Sequence, residues 1–159
     1  MEEQIVFDTG AFLAGLQNSY EKVYTTQEVI DEVKDFKSIE LLSFGLESNK
    51  IIVLQPSSQS LNIVKKEAQM IREFGLSKTD ISVASLALDL KPSIVLTDDL
   101  PLQNLLLHLG IKYIPVKLSI KISKRKSFIY KCEGCGREYD KLYSSCPYCG
   151  HKLKKKIKY

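Results

Sequence analysis

The sequence predicts an α/β protein, a parallel sheet flanked by helices, followed by a small ribbon built on four cysteines. Three observations lead there. Through residues 1–116 short apolar runs alternate with stretches of helical spacing, the order of a sheet with helical crossovers. Those runs are apolar throughout instead of alternating, as strands covered on both faces are. All four cysteines lie beyond residue 131. With 159 residues, 44% apolar and 26% charged, the chain carries enough apolar surface to offset the entropy of ordering, which excludes a disordered protein and leaves room for one ordinary domain and a smaller one.

The elements follow in order. Gln4-Ile-Val-Phe7 is a buried strand that runs into the turn Asp8-Thr9-Gly10, with a helix after it. Val29, Ile30, Val33 and Phe36 have helical spacing, so a helix is expected from Thr25 to Phe36, capped by Thr25 or Thr26. A helix near 38–47 and a strand at Ile51–Leu54 come next. A helix over 60–74 should end at Phe74-Gly75, and Ser77 should open another through Leu90. Ile94–Thr97 is a strand, Pro101 sits in a first helical turn, Gly110 stops that helix, and Ile111–Val116 is the last strand. The domains are therefore 1–116, a basic linker over 117–130 with some strand character, and a ribbon with a basic tail over 131–159.

Charge divides at the same place. Residues 1–116 hold 10 Lys and Arg against 16 Asp and Glu, a net of −6, whereas residues 117–159 hold 13 against 3, a net of +10. No run approaches the ~18 apolar residues of a membrane-spanning helix, and Met-Glu-Glu-Gln lacks the basic entry of a secretory signal. A cytoplasmic protein with no membrane partner is expected, and so reduced thiols.

Cys132-Glu-Gly-Cys135-Gly and Cys146-Pro-Tyr-Cys149-Gly stand ten residues apart. Each pair can wrap one side of a tetrahedral ion, and the glycine after each allows the turn that aims N–H groups at sulfur. A closed, structural Zn²⁺ site with four thiolates is expected, and a segment this short would draw its folding energy from that ion. His151 reads as a surface histidine, with a ligand role as the lesser alternative.

The acids of the first domain are sorted by the face they occupy. At ~100° per residue, Glu32 lies at the edge of its helix's apolar face, while Asp31 lies opposite. Asp80 shares a face with Ile81, Ala84, Ala87 and Leu88; Ser77-Lys-Thr-Asp80 also has the spacing of a capping box. Asp8 and Asp98-Asp99 each follow a short strand at its carboxyl end, where open α/β sheets place ligands. Converging carboxylates repel one another unless a dication neutralises them, and oxygen ligands favour Mg²⁺ or Mn²⁺. Such ions activate water and hold a phosphodiester for in-line attack. No phosphate-cradling glycine motif is present, and His108 reads as a core-edge histidine.

The order Asp8-Thr9, Glu32 in Thr25-Thr-Gln-Glu-Val-Ile-Asp-Glu32-Val, Leu76-Ser-Lys-Thr-Asp80 and Leu96-Thr-Asp-Asp99 resembles the PIN-domain ribonucleases over residues 1–116. The resemblance implies a PIN-like sheet, cleavage of single-stranded RNA, and Asp8, Glu32, Asp80 and Asp99 as catalytic residues holding Mg²⁺ or Mn²⁺, with Asp98 as a second-site ligand. With the ribbon appended, and Thr97-Asp-Asp-Leu-Pro-Leu-Gln103-Asn104, the chain is similar to the subgroup that matures the 3′ end of small-subunit ribosomal RNA in archaea and eukaryotes. It lacks the long insertion of eukaryotic members, which makes it look archaeal.

An acidic cleft repels RNA, so affinity should come from the basic end through phosphate contacts. Lys124, Arg125, Lys126, Lys131 and Arg137 are the candidate contacts, and Tyr148, with Phe128, Tyr130, Tyr139 and Tyr143, offers faces for unpaired bases. The expected partner is precursor small-subunit ribosomal RNA on the small ribosomal subunit. Two other readings stay open: a toxin-like PIN ribonuclease acting on tRNA or mRNA, against which the ribbon argues, and a non-catalytic ribosome-assembly scaffold that only binds RNA.

Overall fold

Five parallel strands form the first sheet: β1 (Gln4–Phe7), β2 (Val23–Thr25), β3 (Ile51–Val53), β4 (Ser93–Leu96) and β5 (Lys112–Ile114), in the order β3-β2-β1-β4-β5. The computed structural model describes residues 2–123, 127–141 and 143–158. β1 is central, pairing Val6 with Tyr24 on one side and Gln4 through Phe7 with Ser93 through Leu96 on the other. Because the strand order reverses between β1 and β4, their carboxyl ends flank the crevice in which doubly wound sheets bind ligands.

The helices are α1 (Thr9–Leu13), α2 (Gln27–Glu32), α3 (Phe36–Glu47), α4 (Ser58–Met70), α5 (Lys78–Asp89), α6 (Leu100–His108) and α7 (Val116–Ser123). They cover the sheet and bury Phe7, Phe12, Val83, Ala84, Leu86, Leu96, Leu102, Leu105 and Leu106. Among the described residues no helix is long and apolar enough to cross a membrane.

Local chemistry explains where the observed elements depart from those expected. The helix expected over Thr25–Phe36 is two. Thr25 ends the three-residue strand β2, too short to be seen by periodicity; Thr26 caps α2; and Asp35 restarts the chain by accepting from the Ser38 N–H at 3.0 Å and its hydroxyl at 2.9 Å. Phe36, expected on the buried face, is 82% exposed. The helix expected to run to Gly75 ends at Met70, and Arg72 takes the left-handed position (φ 56°). Its N–H donates to Gln69 O, and that of Glu73 to Ala68 O. A Schellman turn closed by arginine carries no glycine cue.

The strand expected through Val116 stops at Ile114. α7 follows Pro115 and occupies the first part of the segment read as linker. The Lys117 N–H donates to Asp98 Oδ1 at 3.3 Å, and the Ser119 hydroxyl meets Tyr20 Oη at 3.2 Å.

Contacts divide the chain into two compact units, residues 1–120 and 121–159. In the second, β6 (Ser127–Cys132) pairs antiparallel with β7 (Glu138–Tyr139) and β8 (Leu153–Lys158). The lysine-rich run expected as a tail is thus an edge strand, with Cys132 opposite Leu153 and Lys131 opposite Lys154.

Candidate active site and thiol cluster

The acids chosen from the sequence gather where the sheet order reverses. Asp8 follows β1, and its carboxylate accepts from the Thr9 N–H (2.8 Å, Oδ1) and from the hydroxyl of Thr97 beyond β4 (2.8 Å, Oδ2). Glu32, at the end of α2, accepts from the Thr9 hydroxyl (2.8 Å) and from the Thr79 hydroxyl in the first turn of α5 (2.6 Å). One glutamate therefore ties three helices together. Asp80 is buried; its carboxylate accepts from the Ser77 N–H at 2.9 Å while its own N–H donates to Ser77 Oγ at 3.1 Å, a complete capping box. The two roles weighed for Asp80 thus concern one side chain, because the box holds its carboxylate within reach of its acidic neighbours.

Electrostatics record that reach. Burial pushes the Asp8 carboxyl up, the charges of Asp80 and Glu32 add to it, and the bonds from Thr97 and Thr9 oppose it. Asp99 is pushed up to about 6, first by burial, then by the charge of Asp80 and a hydrogen bond with it, and by Asp8. Asp98 is exposed, and its Oδ1 accepts from the Lys117 N–H in the first turn of α7. Among the described residues the one ion pair is Lys112–Glu3, so none of Asp8, Glu32, Asp80 and Asp99 is in an ion pair with a described lysine or arginine. A mutually repelling, oxygen-only donor set without its own cation fits a hard dication.

The raised Asp99 has a testable sign. Its folded value of about 6 exceeds the ~3.9 of an unfolded aspartate, so stability from this group is full below ~3.9 and is lost as pH rises to about 6. In ion-free protein, Asp99→Asn should therefore gain melting temperature relative to the parent between pH 4 and 6. A difference that stays constant over that range contradicts the coupling.

In the second unit the four thiols of Cys132, Cys135, Cys146 and Cys149 lie within 4.8 Å of one another. No set of carboxylates among the described residues is gathered as closely. The N–H groups of Gly134 and Cys135 donate to Cys132 Sγ at 3.3 and 3.4 Å, and Tyr139 Oη lies 3.2 Å from Cys146 Sγ. Gly136 and Gly150, at φ 77° and 81°, close the two knuckles in the left-handed region. This donor set fits a tetrahedral, thiophilic ion. His151 is exposed, as expected, yet its Nδ1 lies 3.3 Å from Cys149 Sγ, and a side chain at Gly134 would strike its ring.

The basic candidates fare unevenly. Lys124, Arg125 and Lys126 lie outside the described residues. Arg137 places its guanidinium 3.8 Å from the centroid of the Tyr148 ring, which is 69% exposed. Tyr139 and Tyr143 stack edge to face and serve the ribbon itself. Register adds two residues that composition could not single out. Lys154 and Lys156 on β8 join Lys131 around the concavity beside the first knuckle. Like charges directly opposite across a ladder are destabilising, so Lys131 against Lys154 suits an anionic partner.

The family pattern described as the PIN domain of ribonuclease matches residues 5–90, more than half of the chain. The chain belongs to the PIN-domain ribonucleases. It is 38% identical over 154 residues to the Endoribonuclease Nob1 of Pyrococcus abyssi, covering 95% of this chain and 92% of that protein. With the Ribonuclease VapC1 of Thermoplasma acidophilum it shares 31% over 152 residues, 94% of this chain and 76% of the relative. A Pyrobaculum aerophilum protein of known crystal structure superposes with a TM-score of 0.50 at 19% identity, over 77% of this chain and 97% of that one, a likeness of fold.

Proposed function

We propose that this chain is a cytoplasmic Mg²⁺- or Mn²⁺-dependent endoribonuclease that cuts single-stranded precursor RNA at the 3′ end of small-subunit ribosomal RNA. The observation that carries the enzymatic part is the convergence of Asp8, Glu32, Asp80 and Asp99 at the sheet's switch point, with none of the four in an ion pair among the described residues. The similarity to an endoribonuclease over 92% of its length supports the same reading, and the resemblance of the acid motifs with an appended ribbon supports the ribosomal substrate.

Asp8, Glu32, Asp80 and Asp99 would hold the catalytic dication, and the four cysteines would hold structural Zn²⁺. A hard dication at the acids supplies activated water and charge neutralisation for in-line displacement. The protein's own work is positioning: Thr97 and the Thr9 N–H orient Asp8, and Thr9 with Thr79 orients Glu32. Asp98 accepts from the Lys117 N–H in the first turn of α7 and stands as an outer acid at most.

With Mn²⁺, the full chain should cut RNA carrying a 3′ extension of the small-subunit sequence and leave transfer and messenger RNA intact. Cutting of the latter two favours a toxin-like enzyme, and binding without cutting favours a scaffold. Residues 1–123 alone, which keep α7 whole, should bind the same RNA more weakly. Each lost phosphate contact should flatten the salt dependence by roughly 0.7 in log–log slope. An unchanged slope removes the ribbon from RNA binding.

A further inference from the structure

The turn between α4 and α5, which leads into the helix that carries Asp80, presents an aromatic side chain left exposed. Phe74 is 81% exposed although its loop is held on three sides. The Schellman turn at Arg72 fixes its start, Asn104 Nδ2 donates to Glu73 Oε2 at 3.1 Å, and Gly75 lies against Pro101 at the start of α6. The chain neighbours of that last contact are Phe74 and Leu100, and Leu100, next to Asp99, is itself 73% exposed. Asp80 follows three residues after the loop's end at Ser77.

Single exposed apolar residues are ordinary. Here Phe74 and Leu100 immediately precede, in the chain, the two residues Gly75 and Pro101 at which the segments that deliver Asp80 and Asp99 meet. Arg72 and Lys78, at either end of the loop, are exposed and in no ion pair among the described residues. A flat apolar face with cations to either side is the chemistry that holds an unpaired nucleotide, the base stacking and the phosphates meeting charge.

We propose that Phe74 is the platform for one unpaired nucleobase next to the phosphate that is cut, and so a positioning residue that restricts the enzyme to single strands. This rests on the ribonuclease reading above. A duplex keeps its bases stacked inside and offers none to the ring.

The test uses the full chain with Mn²⁺ and RNA oligonucleotides carrying one abasic site at successive positions around the cut. The parent should lose about 10- to 100-fold in kcat/KM at one position. Phe74→Ala should lose as much on intact RNA, mainly through KM, and nothing further on that abasic RNA. Phe74→Trp should restore the intact-RNA rate. Phe74→Ala with the parent's rate and abasic profile overturns the proposal. If neither the parent nor Asp8→Asn cuts, the nuclease reading fails by itself, and fluorescence anisotropy with the same oligonucleotides decides the platform. A position-specific loss present in the parent and absent in Phe74→Ala supports it, and identical profiles overturn it.

Discussion

Asp8→Asn should lower cleavage by at least about 100-fold, the upper end of what losing an outer-shell partner of a metal ligand costs, while RNA affinity stays within about twofold. The change is nearly isosteric. Asparagine's carbonyl oxygen can still accept from Thr9 or Thr97, so the crevice between β1 and β4 should keep its shape. What disappears is one negative charge from a set whose members already destabilise each other's ionised forms. The fold should gain slightly from that relief, and melting temperature in ion-free buffer should rise. Loss of cleavage together with a gain in stability distinguishes a ligand from a structural aspartate, for which both would fall. Cleavage at the parent's rate removes Asp8 from the chemistry.

The second large effect is expected from withdrawing the thiol-bound ion. Within residues 121–159, among side chains the structure describes, only Cys132 and Cys146 are buried, so the described side chains supply no apolar core to β6, β7 and β8. On the zinc reading, the ion supplies on the order of 10 kcal/mol of apparent folding free energy. A strong chelator, or Cys132→Ser, should therefore unfold this unit and leave residues 1–120 folded around their own core. Amide exchange should show protection lost across 127–158 and kept in β1 and β4. The measurement decides cleanly, since a ribbon that stays protected without metal means its strands are held by something other than sulfur ligation.

How much of this could be read in advance varied with the physics involved. The central strands, the helices from Ser77 and Pro101, and both knuckles were legible because apolar runs, caps and cysteine spacing are local signals. Helical phase set Glu32 apart from Asp31 and Asp80 apart from Asp89; Asp80 is buried, whereas Glu32 is exposed and is held by Thr9 and Thr79. β2 was not legible, since Val23-Tyr-Thr25 is too short for periodicity and is a strand only because β1 and β3 lie on either side. The turn at Arg72 hid behind an arginine in a position that glycine usually fills. α7 reads as a linker in sequence because Lys117 and Lys121 interrupt its apolar spacing within eight residues. The threonines that orient Asp8 and Glu32 were invisible for another reason. In the sequence Thr9 and Thr97 stand out only as neighbours of aspartates, and Thr79 as part of a cap; nothing one-dimensional says that their hydroxyls meet carboxylates 23, 89 and 47 residues away. Likewise Lys131 and Lys154 become neighbours only through the ladder.

Glu32's two threonine bonds bear on ion choice. On the reading proposed above, Glu32 is a ligand whose two oxygens are held by hydroxyls from separate helices before any ion arrives, which resists a swing inward to suit a smaller radius. The cradle therefore has a size of its own. Exchanging either threonine for valine should slacken that gauge, so that ions of unlike radius, Ca²⁺ against Mg²⁺, are told apart less well by the loosened protein than by the parent.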